Sequence, residues 1–158
     1  MKPLGAVMLI LAGLAWGLGR SRELGRRVAR LTDLQKLIQW LRTEISYSAR
    51  PLAALVEHSD NPFCREAVQL PGFYGNPREA LAQAGDRLLA DERDRALFRG
   101  LANGLGASDT QGQLEHLQLY MALTGDSLEE ARTACRDKQR LYVGMGLLVG
   151  IGVCIVVV

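Results

Sequence analysis

The side chains best suited to catalysis or metal binding in this sequence are two histidines and three cysteines. His58 and His116 occur in no HExxH pattern and have no Cys–His spacing suited to a tetrahedral metal. Cys64, Cys135 and Cys154 are scattered without a CxxC pair, and Cys154 lies in a terminal apolar run. They read as small buried hydrophobes rather than a disulfide framework or a zinc site. No GxxxxGK[ST] loop is present, so the chain is not expected to bind or hydrolyse nucleotide itself. The string Gly104-x-Gly106-x-Ser108 has only a superficial likeness to a nucleotide or nucleophile motif, because no strand precedes it; a helix cap explains it better. Glu129 and Glu130 sit together on an exposed helix face. The expectation is a protein with no catalytic residues, no metal and no cofactor, and not an enzyme.

The elements that must position everything else are legible from hydropathy. Net charge is only +2 and aromatics are 6% of the chain, which argues against a nucleic-acid partner. Apolar residues concentrate at the two ends. Residues 3–19 and 141–158 carry no charge and read as a pair of transmembrane helices; the first rises roughly 25 Å as a helix against a hydrocarbon core of about 30 Å. Gly13 and Gly17, and Gly146 and Gly150, have the small-xxx-small spacing that lets membrane helices pair. Arg20, Arg22, Arg26, Arg27 and Arg30 follow the first run; Arg136, Lys138 and Arg140 precede the second. The positive-inside rule then places residues 20–140 in the cytoplasm, and the basic flanks suit anionic lipid headgroups. A cleaved signal peptide followed by a tail anchor would export the domain instead, but no clear cleavage site follows the first run and five arginines after it would impede translocation.

Between the ends the periodicity is helical throughout. Leu24, Val28, Leu31, Leu34, Ile38, Leu41 and Ile45 recur at steps of three and four, a coiled-coil-like seam continuous with the first apolar run. Pro51 and Pro62 each suit a first helical position, and Asn76-Pro77-Arg78-Glu79 has the form of a capping box. Leu81, Leu88 and Leu89, then Leu97, Leu101 and Leu105, mark two further amphipathic stretches. Asp91–Arg95 (DERDR) reads as a solvated turn or helix face. Ser108 with Gln111 reads as a second capping box, opening a long helix through Leu114, Leu117, Tyr120, Met121, Leu128, Ala131 and Cys135. The expected fold is all-α: an antiparallel helical bundle, residues 20–140, between terminal transmembrane helices.

The order of these features resembles the stage III sporulation protein AB family, whose domain is similar to the cytoplasmic domains of type II secretion F (platform) proteins. The carriers are the opening MKPLGAVMLILAG, the TEISYSARPL segment at Thr43–Leu52, the GASDTQGQLEHL segment at Gly106–Leu117 and RLYVGMGLL at Arg140–Leu148. Pro51 and Leu52, with Gly106, Ser108, Asp109 and Gln113, form its most specific strings and are the candidate partner-contact or turn-shaping residues. Glu115 stands where the family pattern carries a basic residue. The resemblance implies a non-enzymatic platform in a sporulation secretion-type channel complex, in the mother-cell membrane facing the forespore, with the central domain docking a soluble cytoplasmic ATPase and self-association left open. A membrane-anchored regulatory or lipid-surface module with no transport role is the alternative.

Overall fold

In a computed structural model the described residues are 2–48 and 50–157, with side chains described over 24–48 and 50–138. Among them are six helices: α1 (Lys2–Tyr47), α2 (Leu52–Glu57), α3 (Pro62–Val68), α4 (Pro77–Leu88), α5 (Glu92–Gly104) and α6 (Thr110–Val157). No strand occurs among the described residues, so the all-α expectation holds.

The membrane-spanning part of that expectation is corrected: among the described residues no helix is long and apolar enough to cross a membrane. Over their described side chains both long helices carry charge between apolar positions, as in Leu34-Gln35-Lys36-Leu37 and Leu128-Glu129-Glu130-Ala131. Such a stripe makes one face apolar and keeps the other polar. The runs 3–19 and 141–158, with their glycine pairs, lie outside the described side chains.

The chain divides into two compact units. One gathers Met1–Arg26 and Glu130–Val158; the other is Arg27–Glu129 and carries the core described below. In the second unit the seam of α1 is buried as its spacing requires: Leu31, Leu34 and Ile38 are fully enclosed, and Leu37 and Leu41 nearly so. Opposite lie Leu117, Thr124 and Leu128 of α6, buried at steps of seven and four. α6 runs unbroken through Thr124-Gly125-Asp126. Position 125 faces α1, where an added methyl would sit 3.5 Å from Gln35.

The short helices begin where their caps dictate. Asn61 caps α3, its side chain accepting from the Phe63 N–H, with Pro62 in the first position. Asn76 caps α4 by accepting from the Glu79 N–H at 3.3 Å, again with proline following. The reciprocal half of the expected box does not form: the Asn76 N–H donates to the Gly72 carbonyl, and Glu79 instead accepts from Gln83. Gly72 has φ +96°, a left-handed turn that folds Phe73 into the core and leaves Tyr74 exposed.

α4 and α5 form a tight hairpin. Phe98 of α5 stacks on Phe63 of α3, with ring centroids 4.7 Å apart. A methyl at Gly85 would fall 2.3 Å from the Phe98 ring, so only glycine admits this approach. Arg95 donates to the Leu89 carbonyl at the bend, and Arg99 bridges Asp86 and Glu92.

The DERDR segment departs from expectation. Asp91 caps α5 through the Arg93 N–H, but Asp94 is only 1% exposed and accepts two hydrogen bonds from Arg27 of α1, at 2.7 and 3.0 Å. Arg27, expected among the basic flank of the first apolar run, is thus committed to the core. Helical periodicity carries Asp94 inward because it lies one turn before Phe98 and two before Leu101.

Cys64 is buried beneath α3, and desolvation pushes its thiol up to about 11 against a hydrogen bond from Ser59 that favours the thiolate. Folding therefore favours the protonated form. That contribution is complete below the unfolded value of 9.0 and fades as pH rises through about 11. Urea unfolding of the chain and of Cys64→Ala, compared from pH 8 to 11, should show a pH-dependent loss of about 2–3 kcal/mol in the former alone. Asp94→Ala leaves a half-buried guanidinium without its main partner and should cost about 3 kcal/mol, whereas Arg93→Ala on the exposed face should stay within about 0.5 kcal/mol. The midpoints of the same unfolding curves measure both.

Candidate functional site

The C-terminus of α5 and the N-terminus of α6 meet at the turn that holds four of the six candidate contact residues. A helix end leaves carbonyls unpartnered. At α5 the Ala102 carbonyl accepts from the Leu105 N–H and the Gly104 carbonyl from the Ala107 N–H. The Leu101 carbonyl accepts from His116 Nε2–H of α6 at 3.0 Å. Gly106 then takes φ +67°, a conformation natural to glycine, and turns the chain back.

Gln113 locks this turn from inside α6. Its amide oxygen accepts from the Gly106 N–H at 3.2 Å and its amide nitrogen donates to the Ser108 carbonyl at 3.1 Å. The cap of α6 is Asp109, whose carboxylate accepts from the Gly112 N–H at 3.1 Å. The expected Ser108–Gln111 box is replaced: Ser108 points its hydroxyl at the Asp109 carbonyl over a long 3.5 Å, and Gln111 donates to Glu115. The register shifts by one because aspartate in the cap position reaches the third N–H, which Gly112 supplies with nothing in the way. A methyl at Gly112 would lie 2.7 Å from Ser108 Oγ and 3.0 Å from the Asp109 carboxylate.

Two contributors were not expected from sequence. Arg78 of α4 donates to the Gly106 carbonyl and ties the turn to the hairpin. Gly100 and Gly104 of α5 receive the rings of Tyr120 and His116, which touch each other with centroids 4.6 Å apart. A methyl at Gly100 would fall 2.2 Å from the Tyr120 hydroxyl, and one at Gly104 2.1 Å from the His116 ring. Gly100 and Gly104 are spaced as GxxxG, and His116 and Tyr120 as i, i+4; that double spacing is the signal that would have revealed the contact.

Pro51 and Leu52 are held elsewhere. Pro51 occupies the cap of α2, not its first helical position, with φ −60° and ψ 147°, and its carbonyl accepts from the Leu55 N–H. Leu52 is half-buried. Of the basic residues, Arg26 and Arg136 are exposed and Lys138 is half-exposed. The side chains of Arg20, Arg22 and Arg140 lie outside those described.

A separate cleft of about 480 Å³ opens between α1 and the α2–α3 turn, with Asp33, Lys36 and Trp40 on one wall and His58 to Pro62 on the other. Asn61 spans its floor, donating to the Asp33 carbonyl at 2.8 Å. His58 spends Nδ1–H on the Ala54 carbonyl. Among the described residues no three His, Cys, Asp or Glu side chains gather as a metal site.

These features decide what the turn can do. The Asp109 carboxylate and the Gln113 amide both bond to the backbone of this turn, and the outcome is a braced surface. A family model for stage III sporulation protein AB matches residues 2–158, which includes the turn and the cleft. The chain belongs to that family. No curated protein and no solved structure matches it. Within the stage III sporulation AB pattern, the GASDTQGQ string now has a physical reading: glycine for the left-handed bend, aspartate for the cap, and glutamine for the clamp.

Gly104→Ala should destabilise the chain by about 2 kcal/mol, because its methyl must displace the His116 ring. His116→Ala should open the space at the cost of its own bond. In a double-mutant cycle the two changes should be non-additive by about 1 kcal/mol or more, read from unfolding midpoints.

Proposed function

We propose that this stage III sporulation protein is a non-enzymatic scaffold of a secretion-type channel complex, working at the mother-cell membrane facing the forespore. In this reading its helical unit, similar to the type II secretion F domain, docks the soluble ATPase of that complex. The observation that carries it is the α5–α6 turn. Gly106, Ser108, Asp109, Gln113 and Arg78 satisfy one another and leave no open polar constellation where a substrate would bind. A turn braced in this way presents a fixed surface, and preorganised surfaces bind without the entropic cost of ordering. Partners of the scaffold are the other subunits of the complex, with the ATPase on the cytoplasmic side.

The test is a binding measurement between the purified full-length chain and the complex's ATPase. Saturable binding is expected, weakened about tenfold by Gln113→Ala, which frees the turn while leaving its exposed atoms in place. A folded chain that does not bind, or a Gln113→Ala variant that binds as tightly as the parent, overturns the reading. Binding to anionic vesicles that falls steeply with salt, with no ATPase binding, would favour the lipid-surface module instead.

A further inference from the structure

α6 carries a second feature that the turn does not use. Leu119 and Leu123, one turn apart, are 56% and 40% exposed, and Ala122 between them is also exposed. Glu115 lies one turn before Leu119, and Asp126 three residues after Leu123; both are exposed. On a helix these positions, 115, 119, 122, 123 and 126, share one face. The opposite face holds Leu117, Thr124 and Leu128, all buried. The outer face is therefore an apolar strip with a carboxylate at each end, in addition to the buried one.

Charge identifies what would cover it. The chain has 19 lysines and arginines against 17 acids, yet none of the 19 falls between Gly100 and Ala131. Over that same stretch Asp109, Glu115, Asp126, Glu129 and Glu130 are acidic, so all the formal charge this stretch carries is negative. An anionic lipid surface is repelled. Two copies meeting through this face would set Glu115 and Asp126 against their own kind across a desolvated contact, which is costly. A helix that presents leucine-type residues rimmed by lysine or arginine satisfies both the apolar strip and its ends, the helix-in-groove mode without a deep groove.

We infer that the Glu115–Asp126 face of α6 is a docking strip for a basic amphipathic helix of a partner protein. The strip is distinct from the Gly106–Gln113 turn and does not depend on the ATPase reading.

The probe is a synthetic amphipathic helix with leucines along one face and flanking lysines, labelled for fluorescence anisotropy, against the full-length chain. A matched helix with flanking glutamates is the control. The lysine-flanked helix should bind and the glutamate-flanked one should not. Leu119→Asp combined with Leu123→Asp should weaken binding at least tenfold, with the helical circular dichroism of the parent retained. Glu115→Lys combined with Asp126→Lys should reverse the preference between the two helices. Where the aspartate variant fails to fold, the isosteric pair Glu115→Gln and Asp126→Asn decides, since it should lower affinity and flatten the salt dependence. The inference is overturned if the leucine variant binds like the parent or if the charge reversal leaves the preference unchanged. It is overturned equally if anionic vesicles bind this face. Sedimentation showing a dimer of the chain that the leucine variant dissolves would also overturn it.

Discussion

Arg27 and Asp94 are 67 residues apart in the chain and meet through two short hydrogen bonds in a place from which water is nearly excluded from the carboxylate. A charge there cannot be left alone, so the pair fixes where α5 lies against α1. The rest of the second unit follows from it. With Asp94 pinned, Phe98 and Leu101 on the same stripe face inward; Phe98 then stacks on Phe63, and α4 closes over Gly85. An apolar pair of the same volume would not oppose a slide of one helix along the other. A bidentate arginine–carboxylate contact has one geometry, and such a slide breaks it.

Much of the fold was legible in the sequence, and the reason is periodicity. The stripe Leu31, Leu34, Ile38, Leu41 is buried as a step of three and four demands, and the proline-led helices at Pro62 and Pro77 start behind their asparagine caps. What escaped were contacts between elements. Arg27 and Asp94 each looked solvated, one as a membrane-flanking base and one inside an alternating acid–base run. Local spacing carries no information about a partner on another helix. The membrane-spanning expectation rests on uncharged runs, their length and their basic flanks, whereas no described helix is long and apolar enough to cross a membrane.

The candidate site divides the same way. The members of the string Gly106, Ser108, Asp109, Gln113 converge on one turn. Its wiring was misread by one residue, because serine and aspartate are near-equal cap formers and pattern alone does not choose between them. Gly112 chooses: with no side chain, it gives the Asp109 carboxylate room against the third N–H. Arg78 was out of reach of any sequence argument, being 28 residues from the carbonyl it holds. Pro51 and Leu52, grouped with the turn by the family pattern, cap and begin α2, which makes the two strings independent determinants of shape.

The GxxxG spacing occurs both in the terminal apolar runs and in α5. GxxxG was read at Gly13/Gly17 and Gly146/Gly150 as a lipid-phase pairing signal, where close backbone approach replaces the missing hydrophobic effect. The pair whose geometry is described, Gly100/Gly104, is half-buried and admits side chains of α6. There the reward is different in kind: each missing methyl is filled by a ring from α6, and one of those rings, His116, also closes the exposed end of α5. Helix approach and helix capping are thus achieved by a single residue. That economy places the Gly106 bend where Gln113 and Arg78 reach it, so the turn is held by packing beneath it as much as by its own hydrogen bonds.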